Sequence, residues 1–294
     1  MESGQPAGIR QLHYAPAAGA RFGVEVLDFA ELRRTDPDGD RTRPQRPDFH
    51  LLALVRSGSG RHQADFVDYP LAARSVVWIR PGTVHRWSDV DRLTGALVLF
   101  EPGLLPADLP LPQAPAGPGA ATWQLDEEHW TPAVLAADHL AIEHAAALAD
   151  PGPASAALLA HLLAVLLLRV LPTAPPPAAG PARAAADPEV FARYRAAVEQ
   201  RFAACHQVAD YARSLGYDRR TLTRATRAAT GLGAKQYLDR RILLEAKRLL
   251  AHTELPVAGC AERVGFADAA NFTTFFQRQT TLSPSRWRAE RSGR

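Results

Sequence analysis

Cysteine is almost missing from this 294-residue chain. Cys205 and Cys260 are the only two, which excludes a disulfide framework and makes a reducing cytoplasm the simplest compartment. Long apolar runs are equally scarce. The longest, AALLAHLLAVLLLRVL (156–171), carries His161 and Arg169 and falls short of the ~18–20 apolar residues that a membrane span needs. A buried core or dimer helix is the expectation, with no membrane partner. The stretch MESGQPAGIRQLHYAPAAGA (1–20) has no apolar core of the kind a signal peptide carries. Also missing are a His-x-His pair, a glycine-rich phosphate loop and any nucleophile–base arrangement, so no catalytic residue and no cofactor is implied.

Charge is present but unevenly divided. Residues 183–294 carry 20 lysines and arginines against 11 acids, whereas residues 1–182 carry 14 against 20. A basic half joined to an acidic one points to a polyanion as partner of the basic half alone, the alternative being chance asymmetry in an arginine- and alanine-rich chain. Between them lies LPTAPPPAAGPARAAADP (171–188), whose proline and small residues make a semi-rigid spacer rather than a core. The predicted domains are 1–171 and 187–294, with a spacer at 172–186. A second proline-rich loop, PADLPLPQAPAGPG (106–119), divides the N-terminal half internally.

Ahead of that loop, short apolar runs bounded by turn residues predict strands: FGVEVLDF (22–29), FHLLALV (49–55), ADFVDY (64–69), SVVWI (75–79) and ALVLF (96–100). RSGSGR (56–61) and RPGT (80–83) read as turns. Strands at this spacing predict an antiparallel sandwich or barrel. From Trp130 the pattern becomes helical, backing the barrel with two helices. Beyond the spacer everything reads as helix: 188–202, 208–215 ending at Gly216, a helix capped by Asp218 and stopped at Gly231, a long helix over 234–253, and a short one after Pro256. The stretch VGFADAANFTTFFQRQTTLSPSRWR (264–288), with Asp268 as a cap, reads as one amphipathic helix whose polar side is mostly Asn, Thr and Gln.

An internal repeat organises this half. VADYARSLGYDRRTLTRATRAATGL (208–232) and VAGCAERVGFADAANFTTFFQRQTTL (257–282) each run Val-Ala, a short helix, an apolar-Gly-aromatic turn, an Asp cap and a second helix. That order is the helix-turn-helix signature. One copy alone is a common αα-hairpin. Two copies, with caps 50 residues apart and a rigid helix between them, point to DNA. A connecting helix of about 20 residues spans ~30 Å, close to the ~34 Å between successive major-groove segments on one face of a duplex. Asn, Thr and Gln suit such a surface because they bond base edges and phosphates without forming competing ion pairs.

On these residues, 187–294 resembles the DNA-binding domain of the AraC/XylS family of transcription regulators. GFADAANFTTFFQRQTTLSPSRWR (265–288) is similar to the family's second-motif signature, with its Gly-Phe pair, Asn-Phe pair, Phe-Phe step and closing Ser-Pro-x-x-Trp-Arg. The resemblance implies promoter DNA as a partner, and RNA polymerase as the contact through which such a protein activates. It also implies roles. Arg220, Thr223 and Arg224 occupy base-reading positions of the first recognition helix, with Arg219 and Arg227 beside the phosphates. Ala270, Asn271 and Thr274 hold the equivalent sites of the second, Arg278 is a backbone contact, and Leu222, Phe272 and Phe276 belong to the core. For each polar residue the alternative is a solvated helix face. Ala269, Ala270 and Thr274 are short where the family often carries long side chains, so Arg220 and Arg224 are expected to dominate readout.

The family pairs this domain with a barrel that senses a ligand or mediates dimerisation. YPLAARSVVWIRPGTVHRW (69–87) is similar to its cupin-type sensor, most closely in the turn Pro81–His85. The expected fold is an N-terminal antiparallel β cupin-like barrel with flanking helices, followed by an all-α domain with two helix-turn-helix motifs joined by a long helix. His50, His62, Trp78 and His85 are candidates to orient a small-molecule effector, and each also fits a core or rim position. Three imidazoles could converge on a metal, which makes a metal-dependent cupin enzyme with a helical appendage the rival reading. His139, Glu143 and His144 read as an exposed helix face. Leucines on nearly all sides of 156–171 leave one face apolar after packing, predicting a homodimer. The expectation is a cytoplasmic, effector-responsive activator rather than an enzyme.

Overall fold

The computed structural model describes residues 9–15, 22–36, 39–104, 122–171 and 188–292; the spacer at 172–186, the 106–119 loop and residues 1–8 lie outside them. The described residues up to Leu171 form one compact unit and those from Pro188 form another.

Among the described residues, ten strands and three α-helices build the first unit: β1 (Arg10–Leu12), β2 (Val24–Asp28), α1 (Phe29–Arg34), β3 (Gln45–Pro47), β4 (His50–Ser57), β5 (Gly60–Ala64), β6 (Val67–Leu71), β7 (Ser75–Ile79), β8 (His85–Asp89), β9 (Thr94–Phe100), β10 (Thr122–Gln124), α2 (Glu127–Ala149) and α3 (Ser155–Val170). They pair as two five-stranded sheets, β1-β3-β8-β5-β6 and β10-β7-β4-β9-β2. Every pairing is antiparallel except β1 with β3, a parallel edge pair.

Side chains alternate across a strand, and β4 uses both faces. Leu51, Ala53 and Val55 join Trp87, Val77 and Leu97 in the core between the sheets. Leu52 and Leu54 join Trp78, Phe100 and the inward residues of α2 and α3 in a second core behind the sheet. Burial on both sides explains why 51–55 is a continuous apolar run.

Two strand expectations need correction. The 22–29 run ends as helix, because the Asp28 carboxylate accepts from the Glu31 amide at 2.6 Å and caps α1, leaving Phe29 buried. The 64–69 run is not one strand: Asp65 (φ 46) and Phe66 (φ 70) form the tight turn between β5 and β6. His144 is also corrected. It is buried on α2, whereas its neighbour His139 is exposed.

The second unit contains α4 (Pro188–Arg201), α5 (Val208–Leu215), α6 (Arg219–Thr230), α7 (Ala234–His252), α8 (Val257–Arg263), α9 (Ala269–Thr280) and α10 (Pro284–Ser292). Tyr194, Tyr211, Leu222, Leu238, Phe272 and Phe276 are fully buried in it. Arg241 on α7 donates to Glu199 of α4 at 2.8 Å and to Glu245 at 3.2 Å, tying the connecting helix to its neighbour. Cys205 and Cys260 are buried free thiols, and burial raises the Cys260 thiol above its ordinary range despite the nearby Arg288.

The 264–288 stretch is not a single helix. Gly265 turns the chain at φ 89, Asp268 opens α9, and Thr281 closes it in the left-handed region at φ 66 before Pro284 starts α10. The same place after α6 is held by Gly231. A β-branched residue there costs roughly 1–2 kcal/mol that glycine avoids. Thr281→Gly is therefore expected to raise the stability of this unit by up to ~1 kcal/mol, net of glycine's larger unfolded-state entropy. Urea melts of both proteins, followed by circular dichroism, check this.

Candidate nucleic-acid interface and barrel interior

The two helix-turn-helix motifs are built alike from local chemistry. Gly216 leaves α5 in the left-handed region (φ 74), and two residues later Asp218 accepts from the Thr221 amide at 2.7 Å and from its hydroxyl at 2.9 Å. Those bonds hold the Asp218 carboxyl below the usual carboxylate range. In the second motif Asp268 accepts from the Ala270 amide at 2.9 Å. From the caps onward, residues 50 apart have matching environments: Leu222 and Phe272, Ala225 and Phe275, Thr226 and Phe276 point inward, while Arg220 and Ala270, Arg224 and Thr274, Arg227 and Gln277 point to solvent.

This places every proposed reader. Arg219, Arg220, Arg224 and Arg227 on α6, and Ala270, Asn271, Thr274 and Arg278 on α9, are all exposed. Among the described residues, none of these five arginines ion-pairs with an acid, so their charge is open to a polyanion. Thr223 differs. It is half-buried and its hydroxyl donates to the Arg219 carbonyl at 2.8 Å, as that of Thr273 does to Ala269. By the 50-residue offset, Asn271 matches Thr221, whose hydroxyl is engaged by the Asp218 cap, rather than Thr223. Leu222, Phe272 and Phe276 are core residues, as the resemblance implies.

The closing Ser-Pro-x-x-Trp-Arg has a structural explanation. Trp287 packs edge-on against Phe276 at 6.0 Å, and Arg288 donates to the carbonyls of Leu250 (3.0 Å) and Leu255 (2.6 Å), docking α10 on the end of α7. Sequence reasoning missed His206, Gln207 and Lys235, which line a groove with Asn271, Thr274 and Arg278. They precede or begin helices and form no periodic pattern, so no local signal marks them.

In the barrel the four candidates fall into two pairs, not one pocket. His62 and His85 lie inside, both buried, with Nε2 and Nδ1 3.2 Å apart and Trp87 4.5 Å from the His62 ring. Their outer nitrogens, His62 Nδ1 and His85 Nε2, have no hydrogen-bond partner among the described residues. Burial holds His62 well below the ordinary histidine range, helped by His85, and pushes His85 down to about 4, so both imidazoles are neutral. His50 and Trp78 sit on the other face of the β7-β4-β9 sheet. There the Trp78 indole donates to His50 Nδ1 at 3.2 Å and His50 stacks on Phe100 at 4.7 Å. The sheet thus prevents the three imidazoles from converging, and no group of three or more His, Cys, Asp or Glu able to hold a metal occurs among the described residues.

Comparison with known proteins agrees with both halves. The model of an AraC-like ligand-binding domain matches residues 30–163, and that of a helix-turn-helix domain matches residues 211–290. The chain is similar to the HTH-type transcriptional activator RhaS of Salmonella paratyphi A, with 29% identity over 248 residues, covering 81% of this chain and 84% of that one. It is also similar to the HTH-type transcriptional activator RhaR of Klebsiella pneumoniae subsp. pneumoniae, with 27% identity over 247 residues, covering 82% and 85%. Among solved structures, ToxT of Vibrio cholerae aligns over 85% of this chain and 92% of its own at 12% identity, with a TM-score of 0.38. With a ligand-binding barrel followed by paired helix-turn-helix motifs, and with both matching models together spanning most of its length, the chain belongs to the AraC/XylS family of transcription regulators.

Proposed function

We propose that this regulator is a cytoplasmic homodimer that activates transcription through RNA polymerase, with an effector domain at 1–171, a spacer at 172–186 and a DNA-binding domain at 187–294. The observation that carries the reading is the matched outward face of α6 and α9, with five arginines that form no ion pair with an acid among the described residues. Arg220 and Arg224 read bases, Arg219, Arg227 and Arg278 hold phosphates, and Asn271 with Ala270 and Thr274 completes the second contact. Activation is supported by the two relatives named as activators. A small-molecule effector bound by the barrel shifts the balance between two states of the protein, as coupling between distinct sites requires. His62 and His85 offer such a ligand one donor and one acceptor from their outer nitrogens. Dimerisation is supported by Leu135 and Ile142 on α2 and Leu158, Val165 and Leu168 on α3, large apolar side chains left exposed.

Fluorescence anisotropy of the full-length protein on DNA from upstream of its own gene, at several salt concentrations, tests this reading. Sequence-selective binding is expected, with log K falling linearly against log salt. Val165→Lys is expected to produce monomers in sedimentation and to weaken binding to paired sites about tenfold or more, since linked half-sites are lost. Sequence-blind binding at every salt concentration would retire the regulator reading, and an intact Val165→Lys dimer would move the interface elsewhere.

A further inference from the structure

The separation and angle of the two reading helices decide whether both enter the groove together, and α7 joins them. The segment between α4 and α5 supplies a second connection. The imidazole Nε2–H of His206 donates to the carbonyl of Val264 at 2.8 Å, the tautomer being set because a carbonyl only accepts. Its ring lies 4.8 Å from that of Phe266. Its own carbonyl accepts from Lys235 Nζ at 3.2 Å, and Lys235 also pairs with Asp239 at 2.7 Å on α7. One residue before the first motif thus touches the turn of the second motif and is tied to the connecting helix.

The glycines of the two turns show that this contact is particular to one side. A Cβ on Gly216 would meet nothing within 4 Å, so that glycine answers only to its backbone angle. A Cβ on Gly265 would stand 1.9 Å from the Ala203 carbonyl oxygen and 2.9 Å from His206 Nε2. The second turn is pressed against the 203–206 segment at a distance that admits no side chain. Lys235, His206 and Gln207 then share a groove with Asn271, Thr274 and Arg278, so the junction adjoins the second reading surface.

We propose that His206 is a positioning residue that latches the second helix-turn-helix motif to the first and so fixes the DNA spacing the protein accepts. The inference rests on the DNA-binding reading above. Its test uses the full-length protein and an operator selected from random-sequence duplexes, with one or two base pairs inserted or removed between the two protected major-groove segments. For the unmodified protein each change of spacing is expected to weaken binding about tenfold or more, since a displaced helix forfeits its base contacts. In His206→Ala this penalty shrinks below about threefold, while His206→Gln, which keeps an N–H in reach of Val264, restores it. His206→Phe keeps the ring contact without the hydrogen bond and is expected to relax the spacing as Ala does. If Ala fails to fold, the comparison of Gln with Phe decides. A lower affinity with an unchanged spacing profile in both Ala and Phe overturns the latch, as does a flat profile in the unmodified protein. Absence of any selectable operator would instead count against the DNA-binding reading itself.

Discussion

Arg220→Ala combined with Arg224→Ala is expected to lower affinity for the selected operator at least thirtyfold and to erase its preference within one segment of the site. Both side chains are exposed on the outward face of α6, one turn apart, and neither is held by an acid among the described residues. A guanidinium that bonds a guanine edge in two places discriminates by ~1–3 kcal/mol, so two such contacts are worth ~2–6 kcal/mol. Arg219→Ala and Arg227→Ala should behave differently. As phosphate contacts they weaken all duplexes alike and reduce the salt slope by about 1 each. On α9 the partners at the 50-residue offset are Ala270, which reaches a thymine methyl at most, and Thr274, which has only a short methyl and hydroxyl to offer. Asn271 is the polar reader left there, and Asn271→Ala should relax one position only. Anisotropy titrations on the operator and on a shuffled duplex separate these outcomes. If the double variant keeps the full preference, α6 is not the principal reader.

The second large effect belongs to the barrel and to pH. His62 and His85 are neutral in the fold because burial opposes their protonation, whereas in the unfolded chain each takes up a proton near the ordinary histidine value of about 6.5. Above that pH neither state binds the proton and nothing changes. Below it the unfolded chain gains protons that the fold refuses, so stability is lost as pH falls from about 6.5 towards about 4. At pH 4 the loss from His85 alone is roughly 3 kcal/mol, and His62 adds to it in the same direction. Urea midpoints read by tryptophan fluorescence follow this unit, since Trp78, Trp87, Trp123 and Trp130 lie in it and only Trp287 lies elsewhere. His85→Gln is expected to flatten the acid limb. A midpoint that stays level from pH 6.5 to 4.5 would mean that the pair takes up protons in the fold as readily as in the unfolded chain.

Much of the DNA-binding half was legible because its signals are local. Gly216, Asp218, Gly265 and Asp268 each decide a turn or a cap within three residues, and Phe272 with Phe276 marks the buried side of α9 at helical spacing. The barrel was most legible where strands are apolar on both faces, as in β4 and β7. β1, β3, β8 and β10, with sequences RQL, QRP, HRWSD and TWQ, are short or polar and exist because distant strands pair with them: Gln45 opposite His85, Thr122 opposite Val77. No window of neighbouring residues contains that information. The same limit hid the pairing of the barrel histidines. Residue types nominated His50, His62 and His85 together, but only strand register assigns His62 and His85 to the inner face and His50 to the outer one.

The position of the two thiols has a practical consequence. Cys205 and Cys260 both lie in the C-terminal unit, and both are shielded in the fold. A cysteine-directed reagent added to the intact protein therefore reaches Cys260, which is fully buried, only when that unit opens. The rate of modification is a clock for opening of the DNA-binding half alone, read without cutting the chain. Run with and without operator, the same clock reports how much the duplex holds that half closed.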